Sequence, residues 1–152
     1  LILVGEARDP ETISASIEAA LTGHPVYTTL HSNGVAETLR RLVNSFPADE
    51  VKARMIDIIE TIRVVIWQQL VPSLDGKRIA LREFLIFDEK LRDILLDSKL
   101  ENISAITRHL LKEYGQPMSL DAKRKFDAGL ISERDYKRLI LRTELTKQHA
   151  GS

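Results

Sequence analysis

The sequence predicts an α/β fold followed by a small helical unit. Three observations predict it: two short apolar runs flank a helical segment near the start, an Asp-Gly turn separates two β-type runs, and short charged helices follow residue 88. The chain has 152 residues, of which 43% are hydrophobic, which is enough for one sizeable core. We therefore expect an α/β portion over 1–88 and a helical subdomain over 89–152.

The composition excludes several classes of protein. The 22 basic residues balance the 22 acidic ones, so no overall charge attracts nucleic acid, and we expect no direct nucleic-acid partner. Without cysteine there is no disulfide framework and no thiolate zinc site. No apolar run approaches the roughly 20 residues that span a bilayer. The chain begins in the apolar run LILV with neither a methionine nor a basic segment before it, so we expect the true amino terminus to lie upstream.

The first thirty residues predict a strand, a helix and a second strand. Residues 1–4 form an apolar run without alternation, which is typical of a parallel strand covered on both faces. Asp9 is placed to cap the next helix, with Pro10 at its first position and Gly23 at its end. The β-branched and aromatic residues of 26–30 then indicate the second strand. This is the pattern of a right-handed βαβ unit.

Two titratable residues follow the two predicted strands. Glu6 comes after the first strand and His31 after the second. Because parallel strands end at the same edge of a sheet, where open α/β folds bind their ligands, a carboxylate and an imidazole would share one crevice. The alternative is that Glu6 is a loop residue paired with Arg8, and that His31 caps the following helix.

The middle of the chain predicts two helices and a hairpin. Helical spacing of apolar residues covers 35–45 and about 48–66, and β-type runs flank Asp75-Gly76, a strong hairpin signal. We expect this hairpin to add an antiparallel edge to the parallel sheet. The arginines of the two helices are expected to be solvated or to lie at an interface; they are Arg40, Arg41, Arg54 and Arg63.

From residue 88 onward the sequence predicts short helices. Their ends are marked by Gly115 and Gly129, and Ser132 with Asp135 forms a variant of the capping box at the start of the last helix. The basic run 123–125 is expected to face solvent. His109 has no second ligand at helical spacing, so we predict no metal site there.

Several motifs together resemble one family. VGEARD resembles the Walker B element, and TGHPVYTTLHSN the histidine box, of the hexameric ATPases of type II and type IV secretion and of type IV pili. DEKLRDILLDSK and SLDAKRKFDAGLISERDY resemble the C-terminal helices of the PilT-like branch. VIWQQLVPSLDGKRIALREFLIFDE is similar to the DotB-type motors of Dot/Icm secretion and their conjugation relatives. The resemblance covers nearly the whole chain and implies the C-terminal portion of a RecA-like P-loop NTPase core.

The resemblance also implies roles for individual residues. Glu6 matches the glutamate that activates the water attacking the γ-phosphate of ATP, and His31 matches a histidine that senses that phosphate. Arg8 and His24 match residues at the nucleotide site or subunit contact. Gly5 stands where many NTPases carry the aspartate that holds Mg²⁺, so the metal would be held mainly by the P-loop hydroxyl and waters. No residue of this chain is therefore expected to be a metal ligand.

The phosphate-binding loop of such enzymes, G-x-x-x-x-G-K-[ST], does not occur in the sequence. We expect it upstream, and we expect the 152-residue chain alone not to hydrolyse ATP. The resemblance implies a homo-hexamer in the bacterial cytoplasm, peripheral to the inner membrane and working with secretion or pilus machinery. The alternative is a non-catalytic oligomerisation fragment or degenerate paralogue. Sequence alone leaves pilus retraction, secretion and conjugation open.

Overall fold

A computed structural model describes residues 1–149 of the chain, with side chains described through residue 145. The last three residues of the predicted 89–152 subdomain lie outside the described residues. In chain order the elements are β1 (Ile2–Val4), α1 (Pro10–Leu21), β2 (Val26–Thr28), α2 (Val35–Asn44), α3 (Val51–Thr61), β3 (Val64–Pro72), β4 (Arg78–Ile86), α4 (Glu89–Leu96), a 3₁₀ turn (Leu100–Asn102), α5 (Ile103–Tyr114), α6 (Met118–Asp127) and α7 (Glu133–His149).

The predicted βαβ unit is confirmed. β1 and β2 pair in parallel, and the Asp9 carboxylate accepts the Thr12 N–H at 2.8 Å, at the start of α1. The expectation that the first strand is covered on both faces is wrong, since Leu1 and Leu3 are each 81% exposed. Within the described part of the chain β1 pairs with β2 alone, and this single pairing does not supply the two covering layers of a central parallel strand.

The helix predicted over about 48–66 is too long. α3 ends at Thr61, and Ile62 already has an extended backbone with ψ 136°. The next residues, Val64, Val65 and Ile66, belong to β3. Their branched side chains fit a pleated strand better than a helix, and they pair with β4.

The hairpin forms its own sheet. Gly76 adopts a φ of +81° in the predicted turn, which a residue with a side chain rarely adopts. Among the described residues β3 and β4 form a two-stranded sheet separate from β1 and β2, so the predicted antiparallel edge on the parallel sheet is wrong. The free edge of β4 is instead extended by Gln116, whose backbone N–H and C=O pair with Phe84 at 2.9 and 3.0 Å.

Two apolar cores lie inside the described chain. The first joins α1–α5 with the hairpin, and its most buried large side chains include Leu39, Ile59, Leu85, Leu95 and Leu110. The second lies between the hairpin, α6 and α7; it contains Val71, Leu81, Met118, Ala122, Ile131 and Leu139. Because the first core takes residues from both sides of position 88, the division into 1–88 and 89–152 stays a prediction.

The helical unit α6–α7 is attached to the hairpin by polar contacts as well. The capping box of α7 is confirmed, since the Ser132 hydroxyl accepts the Asp135 N–H at 3.1 Å. The basic run 123–125 is not uniformly solvated as expected. The Lys125 ammonium donates to the Ala80 carbonyl of β4 at 2.8 Å and to Asp121, one helical turn earlier, at 2.6 Å.

Candidate functional site

The two strand ends of the parallel pair bring Glu6 and His31 together. The ladder continues beyond the strands, because the Ala7 N–H donates to the Thr29 carbonyl at 2.9 Å and the Thr29 hydroxyl donates to the Gly5 carbonyl. The side chains that follow the two strands therefore lie at the same edge of the sheet. The Nε2 atom of His31 lies 3.2 Å from Oε1 of Glu6, as the positions of the two residues after their strands predict.

Arg8 occupies the other oxygen of the same carboxylate. Its Nε lies 2.8 Å from Oε2 of Glu6. This hydrogen bond is the main reason that the pKa of Glu6 is lowered, and the charges of His31 and Arg41 lower it further. In return the Glu6 carboxylate raises the pKa of Arg8. The Glu6 side chain is 27% exposed and that of His31 is 83% exposed, so the carboxylate remains open to solvent and to a small ligand.

The alternative interpretation, in which Glu6 pairs with Arg8 and His31 caps the following helix, is confirmed in its first part only. The Glu6–Arg8 ion pair that it expects is present. The His31 side chain, however, contacts Glu6 and is not the cap of α2. The first N–H of that helix, on Val35, is bound by the side chain of Glu83.

Arg41 belongs to this group, although its sequence position predicted a solvated or interface residue. Its guanidinium donates to the His31 carbonyl at 2.5 Å, and its charge lowers the pKa of Glu6. The neighbouring Arg40 pairs with Glu37 at 2.7 Å on the outer side of α2. No local signal in the sequence distinguishes the two arginines, because Glu37 lies three residues before Arg40 and four before Arg41, and both spacings permit an ion pair on a helix. We call Glu6, Arg8, His31 and Arg41 the Glu6 cluster.

His24 lies elsewhere. It precedes β2, whereas His31 follows that strand, so the two histidines are at opposite ends of β2. The His24 Nδ1 atom is 3.2 Å from the Thr22 hydroxyl in the turn after α1. The described residues therefore do not bring His24 into the Glu6 cluster.

The chemistry of the Glu6 cluster suits a phosphate and a water. Its cationic side chains are those that bind phosphate oxygens, and the carboxylate can accept a proton or a hydrogen bond. The Glu6 cluster offers a divalent metal one carboxylate ligand, and that carboxylate is already paired with Arg8 and His31. Among the described residues no group of three or more His, Asp or Glu side chains is placed to hold a metal ion. Within the same residues no helix is both long and apolar enough to cross a bilayer.

Comparisons with known proteins identify the family and the fold of the chain. A family model described as "Type II/IV secretion system protein" matches residues 1–90. The structure of the ATPase DotB of Legionella pneumophila superposes with a TM-score of 0.90 at 60% identity, covering 92% of this chain and 38% of that one. The pilus retraction motor PilT with bound ADP superposes with a TM-score of 0.75 at 30% identity, covering 89% of this chain and 38% of PilT.

A curated relative gives the same answer at the level of sequence. The twitching motility protein of Neisseria gonorrhoeae is 37% identical over 133 residues, which are 87% of this chain and 36% of the relative. The chain thus spans a little over a third of the length of the proteins it matches. The range that the family model matches, residues 1–90, includes the VGEARD and TGHPVYTTLHSN segments. The chain belongs to the type II/IV secretion system protein family and has the fold of the corresponding part of DotB and PilT.

Proposed function

We propose that the chain is the C-terminal portion of a hexameric, ATP-hydrolysing motor that powers type IV secretion of the Dot/Icm or conjugation type, or type IV pilus retraction. The observation that supports this most is the Glu6 carboxylate, held between Arg8 and His31 at the carboxyl edge of the parallel strands. The relatives named ATPase DotB and pilus retraction motor PilT give the proposal its substrate and its mechanical role.

In this proposal Glu6 orients the water that attacks the γ-phosphate and accepts its proton. The lowered pKa of Glu6 keeps the carboxylate ionised, but it also makes the carboxylate a weak base while Arg8 and His31 hold it. A triphosphate offers Arg8 and His31 a more negative partner. Once they turn toward its oxygens, the pKa of Glu6 rises and the carboxylate becomes a stronger base only when substrate is present.

We assign the sensing of the γ-phosphate to His31. Its ring is mostly exposed beside Glu6, and its backbone carbonyl accepts a hydrogen bond from Arg41. Arg8 contacts the nucleotide or the neighbouring subunit, and His24, at the other end of β2, contributes to a subunit contact or to the order of the turn. Mg²⁺, when bound, neutralises charge on the phosphates. The phosphate-binding loop is proposed to lie in the part of the protein outside these 152 residues.

The motor is proposed to be a homo-hexamer in the bacterial cytoplasm, bound to the inner-membrane secretion or pilus machinery. The decisive experiment compares ATP hydrolysis by the full-length protein with that of its Glu6→Gln variant. Gln keeps the size of the side chain but removes the base, so hydrolysis should fall by about 10²–10⁴-fold while ATP binding remains.

The matched control is Glu37→Gln, which also removes a carboxylate paired with an arginine, at 2.7 Å, but outside the Glu6 cluster. This variant should hydrolyse ATP at the rate of the unmodified protein. A Glu6→Gln protein with normal turnover would contradict the role of Glu6. A full-length protein that forms rings without hydrolysing ATP would favour the alternative of a non-catalytic paralogue.

A further inference from the structure

We propose that Glu83 is a positioning residue that couples the helical unit α6–α7 to the turn carrying His31. Its carboxylate lies on β4 and joins the beginnings of two helices that are distant in sequence. The consequence for ATP turnover rests on the proposed function, whereas the structural coupling does not.

The geometry of Glu83 is that of a cap shared by two helices. Its Oε1 accepts the Val35 N–H at 2.9 Å, and its Oε2 accepts the Met118 N–H at 3.2 Å. Val35 and Met118 are the first residues of α2 and α6. The first N–H groups of a helix have no partner inside the helix and carry the positive end of its dipole, so a carboxylate stabilises both ends at once.

The neighbouring residues of the helices offer no substitute for this cap. The residue before α2 is Gly34 and the residue before α6 is Pro117, and neither provides a side-chain cap. Serine, threonine, aspartate or asparagine at these positions would satisfy the helix locally. Here both helices depend on a residue that is 48 positions from Val35 and 35 positions from Met118.

The fit on the side of the His31 turn is close. A Cβ atom on Gly34 would lie 3.2 Å from Oε1 of Glu83, and Gly34 has a φ of +149°. The turn from His31 to Val35 is therefore held at its far end by Glu83, while Arg41 holds the His31 carbonyl. A shift of the carboxylate moves the beginning of α2 and, with it, the backbone of His31.

The contact between Glu83 and α6 also transmits a change in the opposite direction, from α6 to α2. Burial raises the pKa of the Glu83 carboxyl, and the two backbone N–H groups oppose this rise. The buried carboxylate thus depends on both helix ends for its hydrogen bonds. If the Met118 N–H leaves Glu83, the carboxylate loses one donor and gains water, and its hold on α2 weakens.

Asp121 provides a matched control for this contact. It is a buried carboxylate at the same α6–β4 boundary and accepts the Arg82 N–H at 2.8 Å and the Lys125 ammonium at 2.6 Å. It touches α6 and β4 but, in these contacts, not α2. Glu83→Gln and Asp121→Asn therefore both remove a carboxylate charge from the α6–β4 boundary, and we expect only the first to affect the His31 turn.

The test is amide hydrogen exchange, read by mass spectrometry, on the full-length protein and the two variants. A glutamine side chain has one acceptor oxygen in place of two. Either the Val35 N–H or the Met118 N–H would therefore face the NH₂ group of the glutamine, which cannot accept a hydrogen bond. In Glu83→Gln, exchange should rise about tenfold over both 33–38 and 117–122. In Asp121→Asn the contact between Met118 and Glu83 is kept, so exchange should rise at Arg82, whose N–H loses its charged acceptor, and stay within about twofold over 33–38.

A second variant tests the coupling from the other side. Gly34→Ala pushes on Oε1 of Glu83 and should accelerate exchange over 117–122, although the substitution itself lies before α2. Unchanged exchange over 33–38 in Glu83→Gln overturns the proposal. So does equal acceleration of 33–38 in Asp121→Asn, or an acceleration of α3 as large as that of 33–38, since either would indicate general loosening.

ATP turnover in the same proteins separates the coupling from the proposed function. Glu83→Gln should lower kcat by about tenfold with KM for ATP within about twofold, because His31 would be misplaced during the chemical step. Asp121→Asn should leave kcat unchanged. If the unmodified protein hydrolyses no ATP, the proposed function fails, and the exchange experiment still decides the role of Glu83.

Discussion

Replacing Gly115 with alanine should destabilise the protein through one steric contact. Gly115 ends α5 with φ −110° and ψ −163°, a conformation that alanine adopts without strain. The space is the difficulty. An added Cβ would lie 2.6 Å from the Phe84 carbonyl oxygen and 3.0 Å from both the Leu111 carbonyl oxygen and Cδ1. Two of these three atoms are backbone, so no side-chain rotation relieves the contact.

The expected loss in the free energy of unfolding can be worked out from the backbone atoms that must move. Shifting packed backbone for an added methyl group costs about 1–3 kcal/mol. The same shift weakens the two hydrogen bonds between Gln116 and Phe84, each worth about 0.5–1.5 kcal/mol. Against this, alanine restricts the unfolded chain and returns about 0.4–1 kcal/mol. The net loss in the free energy of unfolding is about 2–4 kcal/mol.

Equilibrium urea unfolding, followed by the fluorescence of Trp67 on β3, measures this loss. The urea midpoint should fall by about 1–2 M. Gly5→Ala is the control, since no atom lies within 4 Å of a Cβ built there, and its midpoint should barely change. A Gly115→Ala protein as stable as the unmodified one would refute the steric reasoning.

Three further outcomes are expected. In Arg8→Gln the pKa of Glu6 rises, because its lowering comes first from Arg8. The carboxylate is then protonated at a higher pH, so the acid limb of the kcat/KM profile, which reports the free enzyme, should shift to higher pH; an unshifted limb would contradict the effect of Arg8 on Glu6. Asp88→Ala removes the cap that accepts the Leu91 N–H at 2.9 Å and should cost about 1 kcal/mol in urea unfolding, with no change arguing against the cap. Leu85→Ala, at a fully buried position, should cost about 2–5 kcal/mol in the same assay, and a loss under 1 kcal/mol would contradict its place in the core.

Local signals carried most of the correct sequence predictions. The Asp9 cap, the Asp75-Gly76 turn and the Ser132–Asp135 box each depend on residues within a few positions of one another. The meeting of Glu6 and His31 is a longer-range prediction, and it holds because the βαβ topology fixes where parallel strands end.

The wrong or missing predictions involve contacts that no local pattern encodes. Ile62 and Ile66 continue the helical apolar spacing of α3 but lie outside the helix, because the pairing of β3 with β4 outweighs that spacing. Glu83 caps helices 48 and 35 residues away, and Arg41 turns back to a carbonyl ten residues earlier. Such contacts depend on the packing of several elements, which a single sequence does not display.

The first core combines residues that are far apart in sequence, which limits how early it can form while the chain is being synthesised. Ala7 and Leu111 both contribute to it, so the core beside the turn that carries Glu6 is incomplete until α5 has been made. A ribosome adds about 5–20 residues per second, so the interval between these two residues lasts about 5–20 s. Throughout it, the apolar faces of α1–α3 stay open to chaperones and to other nascent chains. A truncated product that ends before α5 would therefore carry the VGEARD and TGHPVYTTLHSN segments without a complete core.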